Sequence, residues 1–345
     1  MPPAPRILIV GPSWVGDMVM AQSLFLALKQ RHPHCAIDVL APAWTLPLLQ
    51  RMPEVARGVA MPLGHGQFGF GARRQLGLEL RGRYDWAIVL PNSWKSALTP
   101  FFAKIPKRTG YVGELRYGLL NDARKLDKAK LPKTVQRFVA LGLEPDAALP
   151  PECPVPRLRV PAEGVAAVRA KFNVPLPGGE GTEKVLALCP GAEYGPAKRW
   201  PAAYFAKLAR NKMAQGWSVW LFGSGKDQAV AEEIAAAAPG CVGFAGRTDL
   251  AEAVDLLSLA DAAVSNDSGL MHVAAALEKP LVAIYGSSDP GFTPPLNAQA
   301  RIVRLGLECS PCFKRDCPLG HTRCLTDISP EQVSAQLDAL LPPAP

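Results

Sequence analysis

Three short segments of the sequence place glycines beside charged or hydroxyl side chains, a combination suited to phosphate and sugar ligands. They are residues 11–17 (GPSWVGD), 190–201 (PGAEYGPAKRWP) and 265–272 (SNDSGLMH). Glycine allows the backbone to approach a ligand closely. Each segment follows an apolar run typical of a buried strand and precedes a helical pattern, which is where doubly wound domains bind their ligands.

The first segment ends in a carboxylate, Asp17, that has two interpretations. The GxGxxG spacing of dinucleotide-binding loops is missing, so the loop is not that fingerprint. An aspartate near a helix start is often an N-cap. A carboxylate that faces a bound substrate can instead accept a proton from a hydroxyl nucleophile. The pattern alone leaves both interpretations open.

The second and third segments indicate a phosphate site. Lys198 and Arg199 add positive charge beside a glycine-rich strand exit, and Ser268 stands where a helix begins. The free N–H groups of a helix start bind phosphate well. Asp267 would repel a phosphate, so it must cap the helix or face uncharged sugar hydroxyls. His272 lies one turn inside the helix, where packing is its expected role.

Weaker signals follow two other predicted strands. Residues 223–227 (GSGKD) would bring Asp227 near a ribose, and residues 91–95 (PNSWK) would open onto the same cleft. The basic residues of the first half form either an acceptor site for an anionic molecule or a solvated face. The acceptor-site candidates are Asn92, Lys95, Arg73 and Arg116, with Arg74 and Arg108 as further basic residues.

Four cysteines crowd near the end of the chain at Cys309, Cys312, Cys317 and Cys324, with His321 among them. Thiolate and imidazole ligands at short spacing can form a tetrahedral zinc site. The spacing is not that of a zinc ribbon, and free thiols in a reducing compartment are the alternative. A structural zinc ion or a redox-sensitive loop is therefore one hypothesis, with free thiols slightly favoured over it.

The elements that position these residues alternate between apolar strands and helices. Strands are predicted at 6–11, 36–40, 86–90, 185–189, 218–222, 262–264 and 281–285, and helices at 18–30, 201–215, 227–238, from 268 and at 330–341. Such alternation predicts parallel sheets built from βαβ units, an α/β fold. The predicted organisation is two Rossmann-like domains facing a central cleft, at 1–148 and 165–330, with a proline-rich linker at 149–164 and a helix and tail at 331–345.

Bulk composition restricts the class further. The chain has 345 residues, of which 48% are hydrophobic and 20% charged, enough for two ordinary cores. The formal net charge of +8 favours anionic partners: nucleotides, phosphorylated sugars, nucleic acid or an acidic membrane surface. We find no signal-peptide pattern and no apolar run long enough to span a bilayer, so a cytoplasmic protein is expected.

Seven segments together resemble the ADP-heptose:lipopolysaccharide heptosyltransferases of glycosyltransferase family 9. They are GPSWVGDMVMAQSL (11–24), DVLAPAW (38–44), MPLGHG (61–66), LPNSWKSAL (90–98), RYGLLND (116–122), CPGAEYGPAKRWP (189–201) and SNDSGLMHVAAAL (265–277). The resemblance implies a GT-B fold, with ADP-heptose in the second domain and the acceptor in the first. It also implies an inverting reaction that needs no metal.

The resemblance also implies roles for single residues. Asp17 matches the proposed catalytic base, and Lys198 the lysine that holds the donor phosphates. Further donor contacts are implied at Glu193, Tyr194, Asp227 (ribose), Thr248 (adenine), Asp267 (sugar), Ser268, Gly269 and Leu270. The implied acceptor is heptosyl-Kdo2-lipid A, which places the protein in peripheral contact with the inner leaflet of the inner membrane, on its cytoplasmic side.

Three alternatives are weighed. Heptosyltransferases I and III share the family but differ in acceptor. A nucleotide-sugar 2-epimerase shares the two-domain architecture but usually needs several acid/base groups, whereas Asp17 stands alone. A nucleic-acid-binding protein would cluster its basic residues among exposed aromatics, whereas here the charge is dispersed and aromatic residues are only 7% of the chain, so this alternative ranks last.

Overall fold

The computed structural model describes residues 4–64, 67–175 and 183–341. The chain divides into two compact units, Met1–Pro156 and Arg157–Pro345. The division falls inside the predicted linker, residues 149–164. The final histidine and glycine of the 61–66 motif, and the last four residues of the predicted tail, lie outside the described residues.

The first unit is built from alternating strands and helices. Its strands are β1 (Arg6–Val10), β2 (Ala36–Pro42), β3 (Val55–Met61), β4 (Trp86–Val89), β5 (Lys107–Tyr111) and β6 (Asp122–Arg124). Its helices are α1 (Val15–Arg31), α2 (Leu46–Leu49), α3 (Phe70–Glu79), α4 (Leu98–Phe102) and α5 (Thr134–Leu141).

The second unit repeats this plan. Its strands are β7 (Lys184–Cys189), β8 (Trp217–Leu221), β9 (Val242–Gly243), β10 (Ala262–Asn266), β11 (Leu281–Ile284) and β12 (Ala300–Val303). Its helices are α6 (Ala162–Phe172), α7 (Ala202–Met213), α8 (Gln228–Ala237), α9 (Leu250–Leu257), α10 (Gly269–Ala276), α11 (Arg323–Thr326) and α12 (Pro330–Asp338).

Both units contain one sheet with the same strand order. Within the described residues each sheet has six strands, β3-β2-β1-β4-β5-β6 in the first unit and β9-β8-β7-β10-β11-β12 in the second. Every named pair is parallel. In a parallel sheet all strands end at one edge, so the loops after β1, β2, β4 and β5 lie together, as do those after β7, β8 and β10.

The predicted strands are the central ones, because those strands are apolar on both faces. Ile7, Leu8 and Ile9 in β1 and Leu186, Ala187 and Leu188 in β7 are fully buried. The edge strands β3, β6, β9 and β12 were not predicted, nor was the interior strand β5, which begins with Lys107 and Arg108 and has no apolar run. The edge strands are short or carry exposed residues; in β3, for example, Arg57 and Ala60 are exposed.

The boundaries of three predicted elements need correction. Helix α1 begins at Val15, three residues before the predicted start, so Asp17 lies in its first turn. Helix α6 begins at Ala162, inside the predicted linker. Helix α12 belongs with the second unit, because Val333 and Leu337 are fully buried in the core below the sheet. No helix in the described part of the chain is long and apolar enough to cross a membrane.

Candidate functional site

The second unit brings its three predicted binding segments together at the carboxyl edge of its sheet. The loop after β7 is closed by Asn266, the last residue of β10. The Asn266 side chain donates to the carbonyl of Pro190 at 2.7 Å and accepts the N–H of Trp200 at 3.0 Å. One buried amide therefore fixes both ends of the loop that carries Lys198, a role that sequence reasoning did not assign to Asn266.

Lys198 forms an ion pair with Asp267. Its Nζ lies 2.5 Å from Oδ2 of Asp267, and the two side chains are 17% and 5% exposed. The Lys198 ammonium also stands 5.1 Å from the centre of the Tyr194 ring. Because the Lys198 ammonium balances the Asp267 carboxylate, Asp267 does not leave uncompensated negative charge at this strand exit.

Helix α10 starts beside this pair. Ser268 is its N-cap, and the Ser268 hydroxyl accepts the N–H of Met271 at 3.4 Å. The N–H groups of Gly269 and Leu270 stand in the first turn, where a helix offers no carbonyl acceptor. The helix start is therefore equipped to bind an anionic group.

His272, on the buried side of the same helix, is 5% exposed. The pKa of its imidazole is lowered to about 4, chiefly by burial; Asp267 opposes this shift and Lys198 adds to it. The ring is therefore neutral near pH 7. This agrees with the packing role expected for His272 from the sequence.

Asp227 occupies the start of the next helix along the edge. Its Oδ2 accepts the N–H of Ser224 at 3.0 Å and the Ser224 hydroxyl at 2.8 Å. A Cβ on Gly191 would lie only 2.3 Å from Cγ of Asp227. The absence of a side chain at Gly191 lets the loop after β7 approach this carboxylate.

The two remaining predicted donor contacts lie further out. Glu193 pairs with Lys226, and both side chains are exposed. Thr248 follows β9, and its hydroxyl donates to the carbonyl of Phe244 at 3.3 Å. Both residues stand in loops at the same edge of the sheet as Lys198.

The cysteine-rich segment contacts the loop after β7 at residues 194–197, a contact that the sequence did not indicate. Arg315 donates from Nε to the carbonyl of Tyr194 at 2.6 Å, and its own carbonyl accepts the N–H of Ala197 at 3.0 Å. The Tyr194 hydroxyl donates to the carbonyl of Phe313 at 2.7 Å. A Cβ on Gly195 would lie 2.5 Å from the Arg315 carbonyl oxygen, so the two loops are in close contact.

The zinc hypothesis receives no support from the geometry. Across residues 4–64, 67–175 and 183–341, no three histidine, cysteine, aspartate or glutamate side chains are arranged to hold a metal ion. Cys309, Cys312, Cys317 and Cys324 are free thiols. The Nδ1 atom of His321 accepts the N–H of Arg323 at 3.0 Å.

In the first unit, Asp17 lies in the loop-proximal turn of α1. The N-cap of this helix is Trp14, which makes no side-chain capping bond, and Asp17 is the acidic residue of the first turn. The N-cap interpretation of Asp17 is therefore wrong. Its side chain is half-buried and follows the carboxyl end of β1, the edge of the sheet at which doubly wound domains bind ligands.

Two of the predicted acceptor arginines prove to be structural. Arg116 is 1% exposed and donates to the carbonyl of Pro91 at 2.6 Å, to the Ser96 hydroxyl at 3.0 Å and to the carbonyl of Tyr111. Burial lowers its pKa to about 10. Arg73 is 7% exposed and donates to the carbonyl of Phe68 at 2.8 Å. Their guanidinium groups hold strand-exit loops together instead of facing a ligand.

The other basic candidates are more accessible. Asn92 and Arg74 are exposed, and Lys95 is half-buried, with Nζ 3.4 Å from the carbonyl of Gln67. Arg108 is half-buried and donates to the carbonyls of Leu119 at 2.7 Å and Ile105 at 2.6 Å. Asn92, Lys95 and Arg74 therefore remain candidates for an anionic acceptor.

Comparison with known proteins identifies the class. Residues 73–323 match the family model described as glycosyltransferase family 9 (heptosyltransferase). The chain is 49% identical to lipopolysaccharide heptosyltransferase 2 of Salmonella typhimurium over 97% of this chain and 98% of that one. It is 50% identical to lipooligosaccharide heptosyltransferase 2 of Haemophilus influenzae, covering 97% and 99%.

A solved structure agrees with the fold. The structure of Escherichia coli ADP-heptose lipopolysaccharide heptosyltransferase II matches with a TM-score of 0.86 and 46% identity, over 97% of this chain and 98% of that one. Two Rossmann-like units, each built on one parallel sheet with the same strand order, define an α/β protein of the GT-B fold. The chain belongs to glycosyltransferase family 9, the heptosyltransferases. Membership of this family argues against the epimerase and against the nucleic-acid-binding protein as alternatives.

Proposed function

We propose that this enzyme is a heptosyltransferase of the second type, which transfers L-glycero-D-manno-heptose from ADP-heptose to the first heptose of the lipopolysaccharide inner core. The observation that carries the proposal is the Lys198–Asp267 pair at the start of α10, in a chain about half identical to heptosyltransferases 2 along nearly its whole length. The pair supplies a cation for the diphosphate and a carboxylate for the sugar within one strand exit.

The chemistry of these groups supports one arrangement of the donor. The diphosphate would bind the free N–H groups of Gly269 and Leu270 and draw the ammonium of Lys198 towards it. The carboxylate of Asp267, released from that pairing, would accept hydrogen bonds from the heptose hydroxyls. Asp227 would bind the ribose, with Glu193, Tyr194 and Thr248 as further contacts to the nucleotide side of the donor.

The reaction needs a base and an anion site. Asp17 takes the proton from O3 of the acceptor heptose as that oxygen attacks the anomeric carbon from the face opposite ADP. The carbon–oxygen bond to the diphosphate breaks, so the configuration at the anomeric carbon inverts. The leaving diphosphate gains negative charge, which Lys198 and the α10 start stabilise. No divalent ion is required for this step.

The acceptor and location follow from the same proposal. Heptosyl-Kdo2-lipid A is anionic and lipid-anchored, so the enzyme would act in peripheral contact with the inner-membrane leaflet on its cytoplasmic side. Asn92, Lys95 and Arg74 are accessible groups that suit the acidic Kdo sugars or the lipid phosphates.

An acceptor panel tests the proposal. ADP release from ADP-heptose is measured with Kdo2-lipid A, with heptosyl-Kdo2-lipid A and with the diheptosyl form, and the products are identified by mass spectrometry. We expect turnover with heptosyl-Kdo2-lipid A alone. Turnover with Kdo2-lipid A instead would assign the first type, turnover with the diheptosyl form the third type, and no turnover with any acceptor would reject the transferase proposal.

A further inference from the structure

Five aromatic rings of the first unit form a continuous row, which we call the aromatic ridge: Trp94, Phe68, Phe70, Phe102 and Phe101. Neighbouring ring centres along the row are 6.1, 6.2, 5.6 and 5.4 Å apart. The rings are not buried by this contact, since Phe68 is 51% exposed, Phe70 44% and Phe101 38%. Contiguous exposed apolar surface of this kind marks an interaction site.

Exposed aromatic residues are concentrated in this unit. The exposed aromatic residues of the first unit are Trp14, Trp44, Phe68, Phe70, Trp94, Phe101 and Tyr117; all except Phe101, which lies near the end of α4, come between a strand and the element that follows it or at the start of that element. In the described part of the second unit the large exposed aromatic side chains are Tyr194 and Phe313. These two residues contact each other, since the Tyr194 hydroxyl donates to the carbonyl of Phe313, and the Lys198 ammonium lies over the Tyr194 ring.

The charge is distributed in the same way. Met1–Pro156 contains 20 lysines and arginines against 11 aspartates and glutamates, a net charge of +9, whereas Arg157–Pro345 contains 18 against 19, a net charge of −1. The whole positive excess of the protein thus lies in the unit that carries the ridge. Cations flank the ridge directly: Lys95 follows Trp94, and the Arg108 guanidinium lies 5.8 Å from the Phe101 ring centre.

We propose that the aromatic ridge is the surface by which the enzyme binds an anionic phospholipid bilayer, with its rings at the boundary between headgroups and acyl chains. Aromatic side chains favour that depth, and flanking lysines and arginines are attracted by anionic headgroups. This inference rests on the proposed function, because a lipid-anchored acceptor requires the enzyme to work at such a surface.

Charge and geometry argue against other occupants. A second copy of this unit would bring two net positive surfaces together. Single-stranded nucleic acid needs free ring faces for its bases, but Phe68 is stacked with both Phe70 and Trp94, at interplanar angles of 26° and 21°. A bilayer needs only the exposed ring edges and the surrounding cations.

Vesicle sedimentation tests the surface. The full chain is mixed with vesicles of phosphatidylcholine containing phosphatidylglycerol, and with pure phosphatidylcholine, in the absence of any lipopolysaccharide component. We expect binding only to the anionic vesicles, weakened about tenfold in the double variant Phe68→Ser, Phe70→Ser. The matched control is Leu319→Ser, which removes a side chain that is 61% exposed in the second unit. Equal binding of the double variant and the control would overturn the proposal.

Depth is measured separately by fluorescence. Brominated acyl chains quench tryptophan only when the ring enters the bilayer, so we expect quenching that falls in Trp94→Phe while vesicle binding is kept. Vesicle binding without quenching would mean that the protein is held only by electrostatic attraction to the anionic headgroups, and would contradict insertion of the rings. Melting temperatures of all variants exclude unfolding as the cause.

The same variants are assayed with a detergent-dispersed acceptor, where we expect unchanged turnover. If the wild type binds vesicles but shows no turnover, the proposed function is rejected and the membrane-binding role of the aromatic ridge stands. If it shows turnover but does not bind vesicles, the membrane-binding role is rejected and the proposed function stands.

Discussion

The two units share one strand order but use their strand exits differently. In the second unit the exits are joined by side-chain hydrogen bonds: Asn266 closes the loop after β7, Ser224 holds Asp227, and Lys198 meets Asp267. In the first unit the exits present exposed aromatic rings and cations, and the buried arginines stabilise the loops. This difference is the one expected if, as proposed, the second unit binds the nucleotide sugar in a preorganised site and the first unit binds a large anionic, lipid-anchored partner.

Removing the Lys198 ammonium should give the largest loss. Lys198→Ala takes away the cation for the leaving diphosphate and leaves the carboxylate of Asp267 unpaired, so we expect kcat to fall by about 10²- to 10³-fold. Steady-state ADP release measures this. The control is Lys207→Ala, since Lys207 pairs with Glu331 at 2.6 Å on an exposed surface. Equal activity of the two variants would mean that Lys198 does not meet the donor phosphates.

Arg116 should matter for stability and not for acceptor binding. Arg116→Met removes the donor to the buried carbonyl of Tyr111 and one of two donors to the carbonyl of Pro91, so we expect the free energy of unfolding to fall by about 3 kcal/mol. Urea unfolding measures it against Arg74→Met, where an exposed cation is removed at little cost. A raised acceptor KM with unchanged stability would instead show that Arg116 contributes to acceptor binding.

His272 should make the second unit sensitive to acid. Its pKa is lowered by burial to about 4, against an ordinary value of 6.5. Below pH 6.5 the unfolded chain takes up a proton that the folded ring refuses, so stability falls between about pH 6.5 and 4, by up to about 3 kcal/mol, and this contribution then levels off. Unfolding of wild type and His272→Gln across this range is the test; parallel curves would show that His272 is not responsible.

Lys95 should give the smallest effect. Because Lys95 is only half-buried and a solvent-screened charge contributes little, Lys95→Ala should raise the acceptor KM about threefold and leave the donor KM unchanged. The effect should shrink as salt is added. A change in donor KM alone would mean that Lys95 acts on donor binding and not on acceptor binding.

The sequence predicted best those features in which a residue type has a single common structural cause. Apolar runs predicted the central strands, and glycine beside charge located the loops around Lys198 and Ser268. The exposed edge strand β3 was missed because Arg57 and Gly58 interrupt its apolar pattern. Arg116 and Arg74 look alike in sequence, and only the fold buries one and exposes the other. Arg315 was missed because its contacts to Tyr194 and Ala197 join segments about 120 residues apart.

The central claim is acceptor-dependent, metal-independent transfer with Asp17 as the base. The direct measurement is ADP release from ADP-heptose in the presence of EDTA, for wild type and Asp17→Asn, each with and without heptosyl-Kdo2-lipid A. We expect wild-type release only with the acceptor, and a loss of about 10²- to 10⁴-fold in the variant, whose melting temperature stays unchanged. Full activity of Asp17→Asn, or release that stops when EDTA is added, would contradict the account.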